Sequence, residues 1–266
     1  MKNADWRTIL MTATLNRPDS FSAPREMDWT NVRAVYRKLQ DDFHLLTEPF
    51  GIYVPEDRNL DLSQLIGAID VVDRELDRIE TSADRESFVT NVLGYLRGEA
   101  IELNVDATKE LQDRMAILRE AIQRLEIRDK FCDTVQRVVD HGEAKRVAGN
   151  DREMIHHLVE EWRLTGVLPV LFLRELSTPA FEKFFYLCCA TMPAIDMIQD
   201  ARMDFRSGQI SVRPSVGLYF KLMKIFFSPL PKLLYLFPSP LTLVRYALSF
   251  VWQGIRGATN SSMTTS

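Results

Sequence analysis

Cysteine is scarce in this chain, and its pattern excludes two common kinds of site. Cys132, Cys188 and Cys189 are odd in number and lack the spacing of paired zinc ligands. We therefore expect neither a disulfide framework nor a cysteine-based zinc site, but free thiols in a reducing compartment. The N-terminal residues also lack the continuous apolar core of a secretory signal. The protein is accordingly expected to start in the cytosol.

Acidic residues are absent after Asp204. The segment beyond it carries seven basic residues and no acid, a charge of +7, whereas the preceding residues carry 26 basic and 37 acidic side chains, a charge of −11. Charge separated in this way suggests a dedicated partner for the basic tail. A nucleic-acid partner is not expected.

Alternating strand patterns and hairpin dipeptides are also missing, so the fold class predicted is all-α. Apolar residues recur at helical spacing throughout the chain. The predicted helices start near residues 28 and 62 and then cover about 88–103, 111–125, 131–139, 151–176 and 179–207. The helix over 151–176 is expected to bend at Gly166 and Pro169. In the segment 179–207, Pro193 either kinks the helix or begins a new one.

Four segments follow from composition. Residues 1–25 are predicted to form a flexible arm and residues 26–214 a helical domain. Residues 215–258 are predicted to form a hydrophobic, basic, membrane-associating tail, and residues 259–266 a disordered end.

Two rows of carboxylates are the main chemical signal. Asp196, Asp200 and Asp204 are spaced by four, so a helix stacks them in one row, and like charges at this spacing repel. We call them the second row. The first row lies upstream, where each acid follows an apolar position of a predicted helix by one residue; it consists of Asp70, Asp73 and Asp77. Such acids border the buried stripe of the helix and can look into a cleft.

Carboxylates facing each other across a cleft are suited to hard cations such as Mg²⁺, which take oxygen ligands and often bridge to substrate phosphates. Either row alone would be weak evidence, since acids four apart are common in a charged chain. The alternative is that both rows are solvated helix faces of a structural protein.

At these residues the chain resembles the squalene/phytoene synthase family. The run Val72-Asp73-Arg74-Glu75-Leu76-Asp77 is similar to the first D-x-x-x-D motif of that family. Residues 196–211 can be laid along the second Asp-rich motif with Asp200, Asp204 and Gly208 in register. The resemblance covers the chain from near residue 60 to near residue 214. It implies a class I isoprenoid synthase-like helical bundle with the amphipathic basic tail appended.

The resemblance also implies an activity, that of a prenyltransferase or terpene synthase. Mg²⁺ held by Asp73, Asp77, Asp200 and Asp204 would grip an isoprenyl diphosphate and promote the loss of diphosphate. Asp70 and Asp196 extend the candidate metal ligands. The candidate diphosphate contacts are Arg163, Arg174 and Arg206, with ordinary salt bridges as the alternative for the first two.

Several positions depart from the family pattern. Asp196 replaces Asn, Gln199 and Gln209 replace Arg, Met203 replaces Glu, and Ser211 replaces Tyr. Because arginine is the side chain best shaped for phosphate oxygens, these changes favour an alternative function. That alternative is a non-catalytic relative of the family that binds lipid or a membrane.

The tail combines basic residues with apolar and aromatic ones. An apolar stripe is predicted at Leu218, Tyr219, Leu222, Met223 and Phe226. Prolines interrupt the rest of the tail, so it is expected to lie in the interface of an anionic membrane and not to span it. The residues predicted to contact the membrane are Tyr219, Lys221, Lys224, Phe226, Phe227, Lys232 and Trp252. The alternative is that these helices complete the domain core.

The histidines give a weaker signal. His156 and His157 are adjacent, so they cannot share a helix face, and no cysteine or acid in the sequence is placed to complete a metal site around them. A surface or core role is expected.

Overall fold

The computed structural model describes residues 27–99, 103 and 108–244. The predicted arm at residues 1–25, Trp252 and the predicted end at 259–266 lie outside the described residues. Within them every regular element is a helix and none is a strand, so the all-α prediction is confirmed. The α-helices are α1 (Ala34–Asp41), α2 (Phe43–Thr47), α3 (Glu56–Arg78), α4 (Ser82–Arg97), α5 (Lys109–Arg124), α6 (Arg128–Arg146), α7 (Asp151–Thr165), α8 (Val167–Leu173), α9 (Pro179–Thr191), α10 (Pro193–Ser207), α11 (Val216–Phe227) and α12 (Leu230–Leu236). Short 3₁₀ helices cover Glu48–Phe50 and Arg174–Leu176.

Local sequence explains where many of these helices begin and end. Five begin behind a side chain that accepts a hydrogen bond from a backbone N–H of the first turn: Thr81, Thr108, Asn150, Thr178 and Ser215. Gly208 ends α10 with φ near +77°, a left-handed conformation that favours glycine. The predicted stop after the second row is therefore confirmed.

Two predicted long helices are each divided. The segment 151–176 breaks at Gly166, between α7 and α8, and Pro169 lies inside α8 without ending it. At Gly166 a Cβ atom would lie 2.6 Å from Sγ of Cys189 on α9, so the close approach of the two segments requires glycine. The segment 179–207 is two helices, and Pro193 occupies the first position of α10, where its missing N–H leaves no hydrogen bond unmade.

Two hydrophobic cores hold the helices together. The larger core collects buried side chains from α2 to α6, α8, α9 and α12 and includes a cluster of phenylalanine rings around Phe181 and Phe184. The smaller core joins α7, α10 and α11; it is formed by Ala148, Met154, Leu158, Ala194, Met197, Ala201, Ile210, Leu218 and Leu222. The second carboxylate row thus lies on a helix of the smaller core.

The start of the tail is part of both cores. Leu218 and Leu222 of α11 are fully buried in the smaller core, and Leu233 and Phe237 belong to the larger one. The apolar stripe predicted for α11 is therefore divided between two faces, because Tyr219 and Phe226 are half-buried against the smaller core while Met223 is exposed.

The opposite side of α11 is also apolar. Val216, Phe220, Met223 and Phe227 follow one another at helical spacing and are all exposed, Phe220 by 73%. We call this set the exposed tail face. Leu234 and Tyr235 of α12 are exposed as well. None of the described helices combines the length and the apolar character needed to span a bilayer.

Candidate functional site

The two carboxylate rows are carried by α3 and α10. Leu65, Ala68 and Val71 bury one side of α3, and Met197 and Ala201 bury one side of α10. A side-chain contact joins the two helices: Nε2 of Gln209, just after α10, donates a hydrogen bond to Oδ1 of Asp77 at 3.2 Å. The end of the second row is therefore held next to the end of the first.

Asp70 is not on the border of the core, as its spacing predicted, but fully buried. Its carboxylate pairs with the guanidinium of Arg33, and Nε of Arg74 lies 3.3 Å from its Oδ2 atom. A buried charge requires such partners, because removal from water is costly without them. The border position predicted for Asp70 is therefore wrong, and its carboxylate, also predicted as a metal ligand, is paired with arginine.

Asp73 and Asp77 are more accessible members of the first row. Asp73 accepts a hydrogen bond from Nη2 of Arg33 at 2.5 Å, and Arg146 approaches Oδ1 of Asp77 at 3.6 Å. Partial desolvation raises the pKa of Asp77, and the negative charge of Asp73 raises it further. The first row is thus largely neutralised by arginines of the chain itself.

The second row has no such neutralisation. No described residue forms an ion pair with the carboxylates of Asp196, Asp200 or Asp204. Asp196 stays accessible to solvent, yet the surrounding protein displaces enough water to raise its pKa to about 6, and repulsion from Asp200 and Asp204 contributes. Desolvation and the charge of Asp200 raise the pKa of Asp204 as well. The negative charge of this row is therefore not offset by an ion pair with any described residue.

The two rows share one electrostatic environment. The charge of Asp73 contributes to the raised pKa of Asp196, and the charge of Asp77 contributes to that of Asp204. The charges of the two rows therefore act on each other, and the hydrogen bond from Gln209 to Asp77 is the direct contact that holds their ends near each other.

Basic side chains at this place were missed in the sequence. Lys145 and Arg146 end α6, and both lower the pKa of Asp204 against the larger effect of burial. Lys145 also pairs with Glu161 at 2.6 Å. The adjacent Lys145 and Arg146, in the last turn of α6, could have been recognised from the sequence as candidate cations. Nothing in the sequence indicated that Arg33 would contact Asp70 of the first row, 37 residues later.

The arginines predicted to contact diphosphate lie in other surroundings. Arg163 pairs with Glu160 at 2.6 Å, and Arg174 lies 3.6 Å from Glu175 and 3.9 Å from Glu126. Neither contacts a carboxylate of the two rows. Arg163 and Arg174 thus form ordinary salt bridges in the structure, which was the alternative to diphosphate contact. Arg206 is exposed in the last turn of α10 and forms no ion pair with a described residue.

Similarity to known proteins adds nothing to these contacts. No protein-family model, curated protein or solved structure matches the chain. A proposal for its function depends on the residues described above.

The donor atoms suit a hard cation, although they are not gathered around one point. Within the described ranges no three Asp, Glu, His or Cys side chains are arranged to hold a metal ion. Two pockets of the described residues lie elsewhere: one is lined by Gln40, Asn59 and their neighbours, the other by Ile155, Ile225 and theirs.

Proposed function

We propose that the chain binds Mg²⁺ and an isoprenyl diphosphate between α3 and α10 and cleaves the bond to the diphosphate. The observation that carries this proposal is the second row, whose three acids form no ion pair with a described residue, whereas arginines pair with the acids of the first row. A negatively charged site of this kind favours a cation from solution.

The absence of three pre-arranged ligands is compatible with Mg²⁺. This ion usually keeps several waters and takes only one or two carboxylates, and substrate phosphates complete its coordination. Asp77, Asp200 and Asp204 would hold the ion, and Asp73 is available if Arg33 releases it. When bound, Mg²⁺ would neutralise the charge that develops on the departing diphosphate.

The chain supplies its own cations for the substrate. Lys145 and Arg146 lie beside the carboxylates and would orient the diphosphate, compensating for the glutamines at positions 199 and 209. Gln209 would keep Asp77 facing α10 through its hydrogen bond. Burial and the neighbouring carboxylates raise the pKa of Tyr36, so its hydroxyl stays protonated near the first row.

The direct test uses purified protein with farnesyl or geranylgeranyl diphosphate and Mg²⁺, with released diphosphate and hydrocarbon product as readouts. Asp200→Asn should lower turnover by at least about a hundredfold because it removes a charged ligand. It also removes like-charge repulsion, so the melting temperature should not fall. Asp113→Asn, at an exposed acid of α5, is the matched control and should behave as the wild type.

Two outcomes would end the enzyme proposal. One is the absence of Mg²⁺-dependent release with any prenyl diphosphate tested, and the other is wild-type turnover in Asp200→Asn.

A second candidate is a non-catalytic protein that binds lipid or a membrane peripherally. The arginines that already pair with Asp70 and Asp73 favour it, as does the exposed tail face, which lies near the exposed Lys224 and Lys232 in sequence. Exposed aromatic residues beside basic ones are typical of segments that lie in an anionic interface. Lys221 pairs with Asp151 at 2.9 Å, so Lys224 and Lys232 are the better candidates for contact with lipid headgroups. Peripheral membrane contact is compatible with either candidate.

A further inference from the structure

Three of the four histidines of the chain meet between α6 and α7. The ring centre of His141 on α6 lies 5.3 Å from that of His157 and 6.1 Å from that of His156, both on α7. The rings of His156 and His157 are 5.2 Å apart. Although His156 and His157 are neighbours in sequence, both of their rings lie near the ring of His141. The three rings form a cluster that the sequence spacing did not indicate.

The closest approach is between ring nitrogens. Nδ1 of His141 and Nδ1 of His157 are 3.0 Å apart. Two nitrogens bound to one tetrahedral zinc ion at about 2.0–2.1 Å each are separated by about 3.3 Å, so a small separation of these hydrogen-bonded atoms would give them the spacing of ligands on a shared metal. In the metal-free protein one ring donates its N–H to the other, which requires at least one neutral ring, the form that binds metals.

We propose that His141 and His157, joined by His156, bind a transition metal ion such as Zn²⁺. As the side chains stand the three rings are not arranged around one point; His141 and His157 would exchange their mutual hydrogen bond for the ion, and the exposed side chain of His156 would turn to bring the third ligand. Imidazole nitrogens suit Zn²⁺, Cu²⁺ and Ni²⁺, whereas Mg²⁺ prefers oxygen. This site is thus chemically separate from the carboxylate rows and does not depend on the proposed enzyme function.

The surroundings suit a bound cation. Glu160 lies one helical turn from His156 and His157, within electrostatic range of His141, and Arg163 fixes its carboxylate. A carboxylate near histidine ligands commonly orients the rings through a hydrogen bond and offsets the charge of the ion. Arg137, one turn before His141, opposes the ion. Because the α6–α7 contact is extensive, a bound ion would also tie the two helices together.

The test is calorimetric titration of the full chain with ZnCl₂ in a non-chelating buffer near neutral pH. The wild type should bind one zinc ion at micromolar metal. His141→Ala and His157→Ala should each weaken binding by at least about tenfold, since each removes a ligand. The matched control is His44→Ala, which changes the one remaining histidine; it is exposed on α2 and should leave binding unchanged.

Further measurements distinguish a loss of zinc binding from a loss of folding and from effects at the carboxylate rows. Circular dichroism verifies that each variant is folded. If His157→Ala does not fold, His157→Gln is used in its place. Nitrogen-15 spectra of the histidine rings should change on addition of Zn²⁺ but not of Mg²⁺. Asp200→Asn should bind Zn²⁺ as the wild type does, whatever its effect on diphosphate release. Failure of the wild type to bind Zn²⁺, or unchanged binding in folded His141 and His157 variants, overturns the proposal.

Discussion

The amide of Gln209 and the carboxylate of Asp77, 132 residues apart in sequence, are hydrogen-bonded at 3.2 Å. Through this contact the second residue after α10 reaches the last turn of α3. The bond fixes one end of each carboxylate row relative to the other. A change at either residue should therefore affect both rows.

Replacing Arg33 should destabilise the fold, because it leaves Asp70 with less compensation for a fully buried charge. A buried acceptor left without a partner costs about 1–3 kcal/mol; because the Arg33 side chain is 43% exposed and Arg74 stays next to Asp70, we expect Arg33→Ala to fall in this range. Chemical denaturation monitored by circular dichroism measures the change. Arg37→Ala, at an exposed arginine one turn away, should change stability by less than about 0.5 kcal/mol. Equal losses of stability in the two variants would show that the Arg33–Asp70 pair does not stabilise the fold.

The second row should make stability depend on pH in an unusual direction. The pKa of Asp196 is about 6 in the folded protein and about 4 in an unfolded chain. Between these values the folded state binds more protons, so its stability increases as pH falls and decreases as pH rises through about 6. Asp77 and Asp204, whose pKa values are also raised, act in the same direction.

Melting temperatures at about pH 7 and about pH 5 test this, since the gain at the lower pH should be smaller in Asp196→Asn than in the wild type. The lowered pKa of His141 opposes the gain within this range in both proteins, so the difference between them isolates Asp196, whereas Glu143 and Glu160, with lowered pKa values, oppose it only at more acidic pH. Carbon-13 NMR should give an Asp196 midpoint near 6. A midpoint near 4 would show that burial and the neighbouring carboxylates do not raise the pKa of Asp196.

Gly166→Ala should destabilise the protein by about 1–3 kcal/mol, a typical cost of overpacking. The backbone at Gly166 has an ordinary helical conformation, with φ of −65°, so the cost comes from the contact with Cys189 and not from backbone strain. Gly142→Ala is the matched substitution, because its new Cβ would lie 3.5 Å from the nearest heavy atom, Oε1 of Glu161. It should stabilise α6 by up to about 1 kcal/mol through helix propensity. Thermal unfolding of both variants distinguishes the two effects.

The exposed tail face should bind anionic vesicles. Phe220→Ser with Phe227→Ser removes two exposed rings and should lower co-sedimentation with anionic liposomes severalfold without changing the melting temperature. Tyr53→Ser is the control, since Tyr53 is as exposed as Phe220, at 74%, but lies outside the tail. Wild-type binding should weaken with salt without disappearing, because the apolar contribution is not screened. Equal loss in both variants would indicate nonspecific adsorption.

Local patterns in the sequence were sufficient for the helical class and for the spacing of the acids. They predicted the end of α10 at Gly208, since glycine has a definite backbone role there. They did not indicate that Arg33 would pair with Asp70 or that His141 would meet His157, because both contacts depend on how separate helices pack. On α11 both faces are apolar, so periodicity could not decide that Leu222 faces the core and Phe220 the solvent.

The smaller core has a consequence for the order in which the molecule opens. Ala148, Ala194 and Ala201 are among its buried members, and such small side chains contribute little apolar area. Regions with few buried apolar contacts unfold locally at lower free energy than the global transition. Amide hydrogens of α10 should therefore exchange with solvent sooner than those of α3. The second row thus lies on a helix that opens more often than the helix that carries the first row.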